Sequence, residues 1–133
     1  MLGGIIMESQ LDAGAALQKA AQAREALLAR VVQTLEADAR VTAAWLSGSH
    51  GLGEADEWSD LDLHIVVADE HFGAFANEHE TLFAQVGKPI LVLGDLPSDS
   101  MPGGRFLLVQ YAPYMLEIDW NIGPAHAAQR PAA

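Results

Sequence analysis

Apolar positions recur along this chain with two periods, and the switch between them marks out its elements. From about Ser9 to Asp38 the sequence is alanine-rich and follows the helical period. Leu28, Val31, Val32 and Leu35 fall at i, i+3, i+4 and i+7, and Leu17, Ala20, Ala21 and Arg24 carry the stripe backward. Gly14 weakens helix propensity near the start, so the secure helix is expected after it. The compact apolar run 41–47 (VTAAWLS) reads as a buried strand, ended by Gly48-Ser49. Residues 49–53 suit a short helical turn and 54–59 a polar loop. Period two then takes over. Leu61, Leu63 and Ile65 alternate with Asp60, Asp62 and His64, which predicts a strand over 60–67 with one core face and one polar face.

Asp69 is placed to cap a second helix, whose stripe is Phe72, Phe75, Ala76, His79, Leu82, Phe83 and Val86, and Gly87 is placed to end it. Residues 89–93 form a third, wholly apolar strand. Residues 94–104 hold three glycines, two prolines, two serines and two aspartates and read as a mobile surface loop. Two more strands, 105–111 and 114–122, flank Ala112-Pro113 as a hairpin. In the second of these, Leu116, Ile118 and Trp120 face one way, and Glu117 and Asp119 the other. The tail 123–133 lacks periodicity. The predicted class is α/β (α+β): a mixed sheet of about five strands packed against helices, in one domain spanning 8–122. Residues 1–7 read as a leader or vector-derived remnant, and the tail as a candidate point of truncation before a helical second domain.

Composition narrows the function. The 133 residues suffice for one domain with a real core, and half of them are hydrophobic. There is no cysteine, so disulfides and thiolate metal sites are excluded. No apolar run reaches membrane-spanning length, and a cytoplasmic location is the default expectation. The net charge is −11, and 41–87 contains no Lys or Arg while carrying nine acidic residues. Such a surface repels a nucleic-acid backbone, whose binding rests on Lys and Arg, so a polymeric DNA or RNA partner is not expected. A metal or a cationic small molecule is compatible with it.

The acids themselves suggest chemistry. In a strand, Asp60 and Asp62 project to one face about 7 Å apart, and two such carboxylates call for a cation between them. A third carboxylate from a neighbouring strand, Asp119 or Glu117, would complete a cage of hard oxygen ligands for Mg²⁺. Gly48 lets the backbone approach a ligand closely, and Ser49 at the start of a helical turn would offer N–H groups and a hydroxyl to a phosphate. His64 reads as a buried, hydrogen-bonded residue rather than a ligand, and His79 as core.

Gly48-Ser49, with Gly53 completing GSxxxG, is followed after nine residues by Ser59-Asp60-Leu61-Asp62-Leu63, and later by LEIDW. This combined spacing resembles the signature of the nucleotidyltransferase superfamily with the DNA polymerase β-like fold, closest to the small-molecule aminoglycoside- and lincosamide-type enzymes. The resemblance implies that Gly48, Ser49 and Ser59 contact the triphosphate and that Asp60, Asp62 and Asp119 ligate one or two Mg²⁺ ions. The implied reaction transfers a nucleoside monophosphate from an NTP, expected to be ATP, to a hydroxyl of a small molecule, releasing pyrophosphate. Glu117 is the candidate catalytic base. Two departures stand out. Only fourteen residues follow Asp119, so the acceptor wall is absent, or is borrowed from a partner subunit such as a homodimer mate. Of the basic residues, only Lys88 and Arg105 lie mid-chain. The alternatives are a minimal antitoxin-type nucleotidyltransferase that modifies a partner protein, and a non-catalytic nucleotide-binding module of the same fold.

Overall fold

The computed structural model describes the backbone of residues 2–47 and 61–127, and side chains from Gly14 onward within those spans. Helix α1 (Leu2–Glu36) leads into β1 (Val41–Ser47). After β2 (Leu61–Val67) come α2 (Asp69–Asn77) and α3 (His79–Val86). Three strands follow: β3 (Lys88–Pro97), β4 (Arg105–Ala112) and β5 (Leu116–Pro124), with a 3₁₀ turn at Ala125–Ala127. They form one five-stranded sheet in the order β1-β2-β5-β4-β3. Only the central β2–β5 pair is parallel, and the others are antiparallel. The mixed α+β architecture expected from the sequence is the one observed.

One face of the sheet is the core. Leu61, Leu63, Ile65 and Val67 of β2 join Ile118, Trp120 and Ile122 of β5 and Leu107, Val109 and Tyr111 of β4. Helices α1, α2 and α3 cover them with Leu27, Val31, Leu35, Phe75, Leu82, Phe83 and Val86. Phe83 lies 4.9 Å from Trp120, ring to ring. Each such large side chain contributes about 1.5–3 kcal/mol when fully buried. Burial pushes the Tyr111 phenol above its ordinary range, with Trp120 offsetting it slightly.

Several expectations change in detail. Helix α1 runs unbroken through Gly14, and its buried row is Ala20, Leu27, Val31 and Leu35. Val32 is 45 % exposed and Leu17 37 %. The helix is turned toward α3, where Arg30 Nη2 donates to the Gln85 carbonyl at 2.8 Å, and the row rotates with it. β1 is an edge strand with no fully buried residue, and among the described residues only β2 pairs with it. The predicted single helix 69–86 is interrupted at Glu78, whose carboxylate meets Arg40 Nη1 at 2.8 Å. The break is one residue long, so the apolar stripe stays in register across it. Asp69 is not a side-chain cap: Ala68 holds that position, and Asp69 Oδ1 accepts the His126 backbone N–H at 3.0 Å. Gly87 does end α3, in extended backbone, and the site is tight: a Cβ there would sit 2.9 Å from Tyr111 Cδ1 and 3.2 Å from Leu27 Cδ1.

The predicted loop at 94–104 is mostly ordered by hydrogen bonds. β3 extends through a bulge at Gly94 to Pro97. The remainder is a tight turn, in which Ser98 N–H donates to the Gly104 carbonyl at 3.1 Å and Gly104 N–H to the Met101 carbonyl at 2.8 Å. β5 likewise runs past the predicted end, to Pro124.

Candidate active site

β2 and β5 lie side by side at the middle of the sheet, and their parallel register sets Asp62 opposite Asp119 and His64 opposite Asn121. Neighbouring strands are about 4.8 Å apart, so opposed side chains on one face meet. Because Leu61, Leu63 and Ile65 point into the core, Asp62 and His64 must point away from it. Ile118, Trp120 and Ile122 impose the same on Glu117, Asp119 and Asn121. Ser47 of β1 is opposite Asp62 on the other flank.

Asp62 is held from both sides. Ser47 Oγ donates to its Oδ2 at 3.0 Å, and Asn121 Nδ2 donates to its Oδ1 at 3.2 Å. Asn121 also donates to the Leu63 carbonyl at 3.4 Å. Its Oδ1 accepts from Ser98 Oγ at 2.8 Å and from Ser100 Oγ at 3.4 Å. His64 Nε2 lies 3.0 Å from Ser100 Oγ, and its ring stacks on Trp45 with centroids 5.4 Å apart. Burial holds the His64 imidazole below its ordinary pKa, with the nearby Asp62 charge partly offsetting this. His64 is therefore the buried, hydrogen-bonded residue the sequence suggested.

These groups border a pocket of about 710 Å³ lined by Ser47, Asp62, His64 and Asn121, by Asp119 and Asp99, and on its apolar side by Leu96, Pro97 and Phe106. None of its lining residues, among the described ones, is Lys or Arg. Arg40 is engaged elsewhere, by Asp38 at 2.8 Å and Glu78 at 2.8 Å, and Arg105 lies 3.5 Å from Asp95. The pocket is acidic.

Of the residues singled out from the sequence, Asp62 and Asp119 are brought together. Glu117 shares their face but does not line the pocket, and Gln110 Nε2 lies 3.5 Å from its Oε1. Gly48, Ser49, Ser59 and Asp60 lie outside the described residues. Among the described residues no three His, Asp or Glu side chains cluster to hold a metal. The donor set that is described, two carboxylates opposed on adjacent strands at a pocket wall, still suits Mg²⁺, which takes one or two carboxylates and keeps several waters. Sequence reasoning missed Ser47, Asn121, Ser98, Ser100 and Asp99. Asn121 had a readable signal, since it continues the alternation Glu117, Asp119, Asn121 on the polar face of β5.

A family profile described as a nucleotidyltransferase domain matches residues 27–96, more than half of the 133-residue chain. The chain belongs to this family. The match begins within α1, ends in β3 and contains Asp62. β4 and β5, and Asp119 with them, lie beyond it and join the site through the sheet. No curated protein matches the chain. The general chemistry of a nucleotidyltransferase domain is transfer of a nucleotidyl group, with an NTP as substrate. Among the described residues no helix is long and apolar enough to cross a membrane.

Proposed function

We propose that this nucleotidyltransferase moves a nucleoside monophosphate from an NTP, with ATP as the expected donor, to a hydroxyl of a small-molecule acceptor, in a Mg²⁺-dependent reaction that releases pyrophosphate. The observation that carries the reading is the opposition of Asp62 and Asp119 across the β2–β5 pair, at the wall of an acidic pocket. In this reading Asp60, Asp62 and Asp119 hold one or two Mg²⁺ ions, which supply charge neutralisation on the phosphates. Gly48, Ser49 and Ser59 contact the triphosphate. Glu117 is the candidate base for the acceptor hydroxyl. Asp99, the lining acid not assigned to the metal, favours a cationic acceptor, in keeping with the aminoglycoside-type branch. The working unit is the 8–122 domain, in the cytoplasm, with a homodimer mate as the candidate for the acceptor wall.

Pyrophosphate release from Mg·ATP, measured across a panel of aminated and neutral alcohols, tests this. Asp62→Ala and Asp119→Ala are each expected to lower turnover by about 100-fold or more, as removal of a metal ligand does. Wild-type turnover in either variant would sink the assignment. A protein acceptor is the second reading, favoured by the exposed apolar residues Leu91, Leu93 and Leu96 on β3, of which Leu96 reaches the pocket. Labelling of a co-purified protein by radioactive ATP, with no small alcohol accepted, would decide for it.

A further inference from the structure

We propose that Asn121 is the positioning residue of this site, fixing the Asp62 carboxylate in its ligating orientation and tying it to the Ser98–Gly104 turn; this rests on the reading of Asp62 as a metal ligand. Asn121 is 5 % exposed and every polar atom of its side chain is used. The orientation of its amide is determined. Asp62 and the Leu63 carbonyl can only accept, so the NH₂ group must face them, and the amide oxygen must face the two serine hydroxyls.

The hydroxyls are in turn fixed by the turn that carries them. Ser98 Oγ accepts the Met101 N–H at 3.2 Å, and Met101 is 1 % exposed beneath the turn. Gly104 is required at the turn's end, since a Cβ there would lie 2.5 Å from the Ile122 carbonyl oxygen and 2.9 Å from that of Met101. The turn therefore closes directly onto β5, one residue past Asn121. A chain of contacts runs from buried Met101 through Ser98 and Asn121 to one oxygen of Asp62, while Ser47 secures the other. Each Asp62 oxygen accepts one such bond and keeps further acceptor capacity. An aspartate so clamped keeps its rotamer whether or not a ligand is present. Groups that orient a ligating carboxylate in this way typically change metal affinity by about 10- to 100-fold when removed.

The test is Mn²⁺ binding, followed by electron paramagnetic resonance with a non-hydrolysable ATP analogue present, alongside thermal melts of the same samples. Asn121→Ala is expected to weaken Mn²⁺ binding by about 10- to 100-fold. Ser98→Ala, which deletes one hydroxyl on a half-buried turn, is expected to weaken it by about two- to tenfold, the worth of one neutral hydrogen bond. A purely structural Asn121 would lower the melting temperature and leave the affinity of the folded fraction unchanged. Wild-type affinity in folded Asn121→Ala overturns the proposal. Should that variant not fold, wild-type affinity in Ser98→Ala overturns it equally. Asp62→Ala separates the two levels: if it too binds Mn²⁺ like the wild type, the metal reading of Asp62 fails and the proposal falls with it.

Discussion

Met101 and Gly123 face each other beneath the candidate site, and their contact predicts a specific non-additivity. Met101 is the buried side chain of the Ser98–Gly104 turn. Truncating it in Met101→Ala should destabilise the fold by about 2–5 kcal/mol, since a fully enclosed thioether leaves a cavity. For a domain of this size that is a fall of roughly 10 °C in Tm, at about 3 °C per kcal/mol. Gly123→Ala inserts a methyl into the same space. A Cβ at Gly123 would meet Met101 Cε at 2.9 Å, Cβ at 3.0 Å and Sδ at 3.3 Å, and these are its three nearest atoms. Alone it should cost about 1–3 kcal/mol by overpacking. In the Met101→Ala background two of those three atoms are gone, and the new methyl enters the vacated volume. The double variant should therefore be no less stable than Met101→Ala, giving a coupling of about 2 kcal/mol in the compensating direction. Urea denaturation of the four proteins measures it, with m-values held constant as the check on two-state behaviour. Simple additivity within about 0.5 kcal/mol would refute the contact and, with it, the anchoring of the serine turn.

Two further outcomes are expected. Arg40 donates from Nε to Asp38 Oδ1 at 3.0 Å and from Nη2 to Oδ2 at 2.8 Å, which holds the Asp38 carboxyl below its ordinary range. Its stabilisation is present above the unfolded-state value of about 3.9 and is lost as pH falls through the lower folded value, so Asp38→Asn should cost about 1 kcal/mol at neutral pH and flatten the acid limb below about pH 4. An unchanged acid limb in urea midpoints taken between pH 2.5 and 7 would count against this. On the edge strand β3, Leu93 is 52 % exposed, and Leu93→Lys should change stability by less than about 0.5 kcal/mol while reducing aggregation by light scattering. A drop of several kcal/mol would show that this strand is covered.

How much of this was legible beforehand depended on whether the signal was local. The alternation Leu61-Asp62-Leu63-His64-Ile65 sorts a strand into two faces with no tertiary information, and β2 behaves accordingly. The Phe72-to-Val86 stripe likewise identified a buried helical face, and it survives the break at Glu78 because one residue does not shift the period. Edge position is not local. The apolar runs of β1 and β3 read like interior strands, yet both lie at the sheet's margins, where one side has no partner strand among the described residues. The turn at 98–104 misled for a related reason. Its Gly, Pro and Ser content is that of a mobile loop, while its order comes from Met101 inserting beneath it and from Gly104 approaching the Ile122 carbonyl.

The same distinction governs the site. The aspartates are conspicuous in the sequence because they interrupt apolar strands, but what orients Asp62 comes from Ser47, fifteen residues before it, and Asn121, fifty-nine after. Neither pairing has a sequence period. Both follow from the registers of β1 and β5 on β2, and those registers are set on the opposite face. A slip of β5 by one residue would turn Trp120 out of the core and Asp119 into it. Trp120 is wholly buried, and its ring is packed against Phe83, so that slip would forfeit several kcal/mol of burial and bury a carboxylate. The opposition of Asp62 and Asp119 is thus enforced by core packing around Trp120. Shrinking that core residue, as in Trp120→Leu, should therefore disturb the site before any polar residue is touched.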